Sequence, residues 1–324
     1  KVTVEVPIPE IPVFETETLS VELKENGTYN YTPTKDGYSS VEVTVDVDTS
    51  GGSSKPKIYN GFVLNNSTLS TDQAYTTEVK KIDFSQYDWS GVYDLSYFFQ
   101  NFGNNSFFDD NILSNFNEHF NGKIYSCKYI FNPGSGSSGN LKAVPAFFNN
   151  RMHDCVDLSY TFYNQQKLSN ASNIENWDTS NVETTAYMFN YCYALTSVPH
   201  FDTSNVTDMN SMFYNCSGLT SLDVSNFDTS NVVDMYGMFS VCSGLTSLDL
   251  SSFNTSKVMN MRYMFNYCKK LTSLNVSNFD TSNVTNLSYM FTSCSGLTSL
   301  DLSSFNTSNV TYMTGMFMDC TSLQ

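Results

Sequence analysis

The clearest pattern in the chain is an alternation of two hydrophobic periods, which returns every 26 residues in much of the C-terminal half. In "LTSLDVSNF" the apolar residues fall at short, strand-like intervals, whereas from Val232 they recur at i+3, i+6, i+7 and i+10. The second spacing is typical of one face of a helix, and "DTSN" before it and "CSG" after it supply cap and turn residues. Each unit therefore predicts a strand, a turn, a helix and a second turn.

Nine copies of this unit can be aligned on the position of that valine. Six copies are regular, and three upstream copies are weaker and separated by longer loops. One unit cannot bury its own apolar face, but stacked copies share a core. The sequence thus predicts an α/β repeat solenoid, leucine-rich-repeat-like, with a strand and a helix per copy. The anchor residues of the copies are Val92, Ile124, Cys155, Val182, Val206, Val232, Val258, Val284 and Val310.

The combination of "LTSLDLSSF" with Phe-x-x-Cys resembles the BspA-type leucine-rich repeat of bacterial surface proteins. The resemblance is carried by residues 178–324, where Phe213 to Cys216 and Phe239 to Cys242 are two of the five instances, and it is weak over 79–167. It implies adherence to host matrix, to other cells or to glycans, without catalysis. It implies no particular set of binding residues.

The N-terminal part follows a different pattern. "KVTVEV" and "SSVEVTVDV" alternate apolar and polar residues, and Asn26-Gly27 is a strong hairpin signal, so residues 1–48 predict a small antiparallel β module. The stretch "ENGTYNYTPTKDGYSSVEVTVDV" is similar to short β modules of bacteriophage virion fibre and tail proteins. We expect 49–78 to form a linker and an N-terminal cap of the solenoid. The solenoid then covers 79–324, with degenerate copies over 79–167 and regular copies over 168–324, and is expected to continue past 324.

Charge narrows the choice of partners. The chain has 32 acidic and 16 basic residues, a formal net charge of -16, which argues against nucleic acid and anionic lipid surfaces. No apolar run approaches the ~18 residues of a membrane span, so we expect no membrane insertion. Solubility comes mainly from Ser, Thr and Asn. This composition favours an extracellular protein on a virion surface or a bacterial cell surface.

Six cysteines occupy one position of the regular copies, where they could be metal ligands, disulfide partners or packing residues. Zinc needs four ligands that converge on a point, which one thiol per layer does not offer. Parallel side chains on neighbouring layers rarely reach the ~3.8 Å Cβ separation of a disulfide. We therefore expect buried free thiols, with no metal and no cofactor. The ladder consists of Cys192, Cys216, Cys242, Cys268, Cys294 and Cys320.

The sequence does not predict an enzyme. None of the three histidines has metal-like spacing or a triad-like setting, and no phosphate-binding glycine motif is present. Acids and amides recur along a ladder, and we expect this Asp/Asn variation to limit like-charge repulsion between layers. Paired carboxylates could in principle serve acid–base chemistry, but we take this ladder as a candidate binding surface. Its members are Asp223, Asp249, Asn275 and Asp301.

Tyrosines outside the core stripe form the second set of candidate binding residues, namely Tyr187, Tyr263 and Tyr289. An exposed tyrosine can stack on a sugar or anchor a protein partner, although tyrosine also tolerates half-burial between helices. Two functions remain open. The chain is either a recognition or adhesion module that binds a glycan or protein on a host or cell surface, or a structural spacer. In either case the N-terminal module could contact other virion or surface proteins.

Overall fold

The computed structural model describes residues 88–99, 118–134 and 138–324, together with Ser85, Phe116 and five strands that precede them. Six strands form three separate two-stranded sheets. β1 (Val2–Val6) pairs antiparallel with β2 (Glu17–Val21), β3 (Gly27–Tyr31) pairs antiparallel with β4 (Val41–Val45), and β5 (Lys57–Tyr59) pairs in parallel with β6 (Asp88–Gly91).

The strand pairing differs from the hairpin that Asn26-Gly27 predicts. Strands β2 and β3 flank this dipeptide but belong to different sheets. A two-residue turn fixes strand pairing only when both strands reach it, and β2 already ends at Val21. Of the linker and cap expected at 49–78, the structure describes the backbone of β5, and the other residues of that segment lie outside the described ones.

The segments that predict a helix fold differently. Residues 232–242, all of which the structure describes, form consecutive turns and contain no helix. Some of their N–H groups bond to the carbonyl of the third residue before them, as in the bonds from Met238 to Met235 at 3.3 Å and from Cys242 to Phe239 at 3.2 Å. The strand-like segment 219–227 is fully described and contains no strand either. This copy therefore has turns and loops where the spacing predicts a helix and a strand, and the repeat solenoid stays a prediction.

The physical reason lies in the alternate N–H groups of these turn segments, which bond to the next copy. A helix would use those groups internally and would hold neighbouring helices ~8–10 Å apart. Here consecutive copies are joined directly by backbone hydrogen bonds at a strand-like spacing. In the copy anchored at Val206, the N–H groups of Met209, Ser211, Phe213 and Asn215 bond to the carbonyls of Asp234, Tyr236, Met238 and Ser240 at 2.7–3.1 Å.

The weaker upstream copies are joined to their neighbours in the same way. Isolated parallel bridges link each copy to the next, from Asp94 with Ser126 to Asn286 with Tyr312. The core beside these bridges contains one phenylalanine per copy, and neighbouring rings are stacked at 5.6–5.9 Å between centroids with interplanar angles of 4–14°. The rings belong to Phe99, Phe131, Phe162, Phe189, Phe213, Phe239, Phe265, Phe291 and Phe317.

The "DTSN" motif connects each copy to both of its neighbours. The buried Thr229 hydroxyl donates to the carbonyl of Asn254 in the next copy at 2.9 Å. The Asn231 amide donates to the carbonyl of Ser204 in the preceding copy at 2.7 Å. These bonds satisfy loop carbonyls that lack a partner in a sheet. The motif therefore holds the stack together, in addition to forming a turn.

Helical structure within the described residues is short. Two 3₁₀ helices span Ala146–Phe148 and Ser172–Asn176, and Phe116, Glu118 and His119 are in α-helical conformation. Among the described residues, no helix combines the length and apolar character that a bilayer crossing requires.

The glycine of "CSG" also has a different role from the helix cap that the sequence suggests. A Cβ atom on Gly244 would lie 2.3 Å from the carbonyl oxygen of Ser217 in the preceding copy. Close approach between copies therefore explains the preference for glycine at this position.

Candidate binding surface

Tyrosine is the commonest residue at the fifth position after the anchor, and it also occurs at the ninth position in two copies. The backbone at both positions has positive φ, for example 59° at Tyr187 and 62° at Tyr191. Among the described residues, 15 non-glycine residues have positive φ; eight are tyrosines, and four are asparagine or aspartate, the residues that usually adopt this conformation. The side chain, rather than a backbone preference, therefore accounts for tyrosine at these positions.

Tyrosines of neighbouring copies stack on one another. The ring centroids of Tyr129 and Tyr160 are 4.0 Å apart, those of Tyr160 and Tyr187 are 4.4 Å apart, and both pairs are close to parallel. A second pair, Tyr263 and Tyr289, stacks at 4.9 Å. Eleven half-buried tyrosines belong to these stacks or contact them, and we call them the tyrosine surface. They are Tyr97, Tyr129, Tyr160, Tyr163, Tyr187, Tyr191, Tyr193, Tyr214, Tyr236, Tyr263 and Tyr289.

Two small residues interrupt the column between Tyr187 and Tyr263. Ser211 and Gly237 occupy the fifth position in these copies, and both are buried. Tyr214, which comes from a different position of its copy, approaches this gap, because a Cβ on Gly237 would lie 4.0 Å from its ring. The small residues thus make room for tyrosines from other positions.

Partial burial changes the chemistry of these phenols. Burial raises the pKa of Tyr129 to about 12, and it also raises the pKa of Tyr160. Burial and the neighbouring Tyr191 raise the pKa of Tyr214 to about 12. At neutral pH these hydroxyl groups are therefore protonated and can donate hydrogen bonds. The stacked faces contact each other, so the ring edges and hydroxyls are the parts that a ligand could reach.

The acid and amide ladder lies on exposed turns. All four members are exposed, and each accepts the backbone N–H of the serine two residues later at 2.9–3.0 Å. The members are Asp223, Asp249, Asn275 and Asp301. This local bond is a turn-forming role that aspartate and asparagine fulfil equally well. Asp223 and Asp249 are acids in neighbouring copies and Asn275 follows them, so the limit on repulsion and the role in binding both stay predictions.

Asp223 illustrates the electrostatics of this ladder. Hydrogen bonds from Ser225 and a contact of 3.2 Å with His200 lower its pKa to about 2. The pKa values of Asp249 and Asp301 are also lowered, chiefly by the N–H groups of Ser251 and Ser303. A general acid needs a pKa near neutrality, so these carboxyl groups are suited to remain ionised.

The cysteine ladder lies on the opposite side of the turn segments, in the core. All eight cysteines are free thiols, and all except the half-buried Cys320 are buried. Each thiol of the regular copies donates to the carbonyl of a phenylalanine in the preceding copy, as Cys242 does to Phe213 at 3.0 Å. Burial raises the pKa of Cys242 to about 12. Such a thiol is a weak nucleophile and a poor metal ligand.

The described residues offer no obvious place for a metal. Within the described ranges, no three of the His, Cys, Asp and Glu side chains form a group that could hold a metal ion. His153 contacts Asp178 at 2.7 Å and is exposed, as is the pair of His200 and Asp223. These contacts pair one histidine with one carboxylate, on the surface, and suggest no catalytic site.

The structure separates the two candidate sets. Tyr187, Tyr263 and Tyr289 belong to the tyrosine surface on the turn segments, whereas the acid ladder lies on the loops that precede "DTSN". Sequence reasoning missed the tyrosines at other positions, such as Tyr163 and Tyr214. The sequence did contain a signal for the unusual backbone. The fifth position after the anchor accepts Tyr, Ser and Gly, which is unusual for a helix and common where φ is positive.

Comparison with known proteins identifies a family for the regular copies. A protein-family model described as "Mycoplasma protein of unknown function, DUF285" matches residues 156–248 and 243–324. The two matches together cover 169 of the 324 residues, because they run from 156 to 324 with a short overlap. No curated protein and no solved structure matches the chain.

Proposed function

Because this chain belongs to the DUF285 family, whose description assigns no activity, we propose its function from the residues: it is a non-enzymatic recognition or adhesion module displayed on a surface. The hydrogen-bonded copies form a solenoid of the BspA-like kind, and the tyrosine surface binds a glycan or a protein of a host or cell envelope. The N-terminal module attaches the array to a virion fibre or to a bacterial cell surface.

The observation that carries this proposal is the presence of tyrosine where the backbone disfavours it. A non-glycine residue in the left-handed conformation costs ~1 kcal/mol or more. Gly237 and Gly315 occupy the same position with φ of 55° and 61°, so the fold accepts glycine there. Retaining tyrosine at this cost favours a role for the side chain. Clustered, partly exposed tyrosines are typical anchors in protein and glycan recognition.

A second candidate function, a structural spacer, is favoured by the stacking itself. The faces of Tyr160 contact Tyr129 and Tyr187, and stacked rings stabilise the array without any ligand. On this view the tyrosines connect copies in the same way as the buried phenylalanines. The two functions differ in what happens when tyrosines are removed without disturbing the fold.

The chain provides its own matched substitutions for this test. Tyr187→Ser copies Ser211, Tyr163→Asn copies Asn190, and Tyr191→Asn copies Asn215, each from the equivalent position of a neighbouring copy. We expect the triple variant to stay folded by circular dichroism and to lose at least tenfold in binding on a glycan array or to envelope extracts. If the folded wild-type protein binds neither glycans nor envelope components, recognition is rejected and the spacer function is favoured.

A further inference from the structure

The positive charges of the regular copies are confined to one layer. Residues 250–279 contain four basic and no acidic residues, whereas the remaining residues of 171–324 contain twelve acidic and no basic ones. The positions that carry acids in neighbouring copies are amides in this layer, at Asn254, Asn260 and Asn275. The four cations, which we call the basic layer, are Lys257, Arg262, Lys269 and Lys270.

The described part of the chain gives the basic layer no close ion pair, although Lys257 helps to lower the pKa of Asp228. Arg262 lies instead against the tyrosine surface, 4.7 Å from the ring centre of Tyr263 and 5.9 Å from that of Tyr289, and one of its terminal nitrogens donates to the Tyr263 hydroxyl at 3.2 Å. Its Nε atom is buried without a hydrogen-bond partner. The guanidinium is thus held in position with its charge uncompensated.

An exposed aromatic ring lies in the same layer. Tyr267 is 42% exposed, and the Lys269 ammonium lies 5.0 Å from its ring centre. Among the described residues, no other ring contacts Tyr267, whereas Tyr191 at the equivalent position makes edge-to-face contacts with Tyr163 and Tyr214. The Tyr267 ring is therefore accessible to a sugar in a way that the stacked rings are not.

We propose that Arg262, Lys269 and Tyr267 form a binding site for a glycan that carries a carboxylate, such as a terminal acidic sugar. This inference rests on the proposed recognition function and adds an acid-specific site in another copy, so binding there does not depend on Tyr163, Tyr187 or Tyr191. A guanidinium matches the geometry of a carboxylate, and a tyrosine face suits the apolar side of a sugar ring. The site is assigned to these three residues, and Lys257 is left out because it already donates to Asn231 at 2.6 Å.

The basic layer is one copy thick, and this argues against a polyanionic ligand. Stacked phenylalanine rings place the neighbouring copies 5.8 Å and 5.6 Å from this one. Asp234 and Asp249 belong to the copy before it, and Asp280 follows it. The copies on both sides of the basic layer are therefore negatively charged and would repel a chain of many negative charges. A ligand with one localised negative charge fits this arrangement.

A protein partner is less suited to this layer. Protein interfaces have an apolar centre, and the large hydrophobic residues exposed within the described part of 171–305 are Val233, Met259 and Tyr267. The remaining exposed surface there is rich in Ser, Thr and Asn. Hydroxyl and amide groups around one ring and two cations favour a hydrophilic ligand.

The test uses the intact chain and a glycan array with three matched forms of each probe: neutral, with a terminal sialic or uronic acid, and with that acid reduced to an alcohol. Arg262→Ser and Lys269→Ser copy Ser288 and Ser295 of the next repeat, so the variants suit the fold. We expect the wild-type protein to bind the carboxylate form at least tenfold more tightly than the other two. Each variant should abolish this preference.

Lys257→Asn, which copies Asn283, removes the same charge away from the site and should leave binding unchanged. Equal binding of neutral and acidic probes, unaffected by Arg262→Ser, would overturn this inference and leave the proposed recognition function standing. Binding to heparin that Lys257→Asn and Arg262→Ser weaken alike would overturn it in favour of non-specific charge attraction. Absence of all glycan binding, with a protein captured from envelope extract through the tyrosine surface, would overturn it in favour of a protein ligand.

Discussion

At the scale of single residues, the cysteine ladder shows how a thiol can serve as a hydrogen-bonding core residue. The Cys242 thiol is fully buried and donates to the carbonyl of Phe213, which lies in the preceding copy. Alanine would remove both the sulfur volume and this donor. A carbonyl that is buried without a donor is costly, and the cavity adds to the cost.

We therefore predict that Cys242→Ala lowers the free energy of unfolding by about 1–3 kcal/mol, measured by urea denaturation. Binding should be unchanged, because the thiol points away from the tyrosine surface. As a companion measurement, a thiol reagent should modify the half-buried Cys320 first in the native protein, and all eight cysteines only after unfolding. Rapid modification of Cys242 in the folded state would contradict the assignment.

The partly buried Asp208 allows a second prediction at this scale. Burial and the nearby Asp234 raise its pKa, so the folded protein holds a proton that the unfolded chain releases. Stability therefore falls as the pH rises above the usual aspartate value and through the raised pKa. Asn260 occupies the equivalent position two copies later. Its side-chain oxygen accepts the equivalent backbone N–H, which is that of Arg262, at 3.1 Å.

Asp208→Asn should accordingly stabilise the protein at pH 7, by up to about 1 kcal/mol, because it removes like-charge repulsion without losing the hydrogen bond. The gain should disappear near pH 3, and chemical denaturation at both pH values measures it. Asp223→Asn provides the opposite control. The pKa of Asp223 is lowered to about 2, so its contribution is present at neutral pH and is lost on acidification.

At the scale of the repeated element, the sequence was informative about which residues face the core and misleading about the backbone. Met235, Met238, Phe239 and Cys242 are all buried, as their spacing predicts. Consecutive turns with a left-handed residue at every fourth position place the same residues on one side as a helix does, so periodicity could not distinguish the two. The hydrogen bonds that decide between them connect residues about 26 apart, beyond any local pattern.

The candidate site was predictable to a similar extent. Tyr187, Tyr263 and Tyr289 could be selected because they fall outside the core stripe. The stacking of their rings on neighbouring copies could not be predicted, because packed helices would hold the copies too far apart for it. The basic layer is visible in the sequence as a cluster of cations, but the position of Arg262 over Tyr263 requires the three-dimensional structure.

The "DTSN" motif gives a prediction for this element. The Thr229 hydroxyl donates to the Asn254 carbonyl and accepts the Asn254 N–H at 2.8 Å, so one side chain satisfies two backbone groups. Thr229→Val keeps the shape and leaves both groups unpaired. We expect a loss of about 1–3 kcal/mol in urea denaturation. The same substitution at the exposed Thr220 should change stability by less than about 0.5 kcal/mol, and an equal effect at both positions would argue against the bonds between copies.

At the scale of the whole molecule, stability should propagate along the stack from copy to copy. The described copies bond to their sequence neighbours through the turn segments and the phenylalanine rings, and the regular copies also do so through the "DTSN" motif. An array of this kind behaves as a chain of nearest-neighbour interactions. A local defect should therefore divide the array into two parts that unfold separately, instead of weakening all copies equally.

Phe239→Ala is the sharpest test of this behaviour. The ring is fully buried and stacks between Phe213 and Phe265 at 5.9 Å and 5.8 Å, so its removal should cost about 3–5 kcal/mol and leave a gap in the middle of the regular copies. Hydrogen exchange should then show amides near Phe239 losing protection first, with the copies on either side opening at different denaturant concentrations. The control is Phe317→Ala in the last described copy, where the ring is 40% exposed and the loss should be smaller and confined to that end. A single cooperative transition in the Phe239 variant, with uniform loss of protection, would show that the copies are coupled over distances longer than one neighbour.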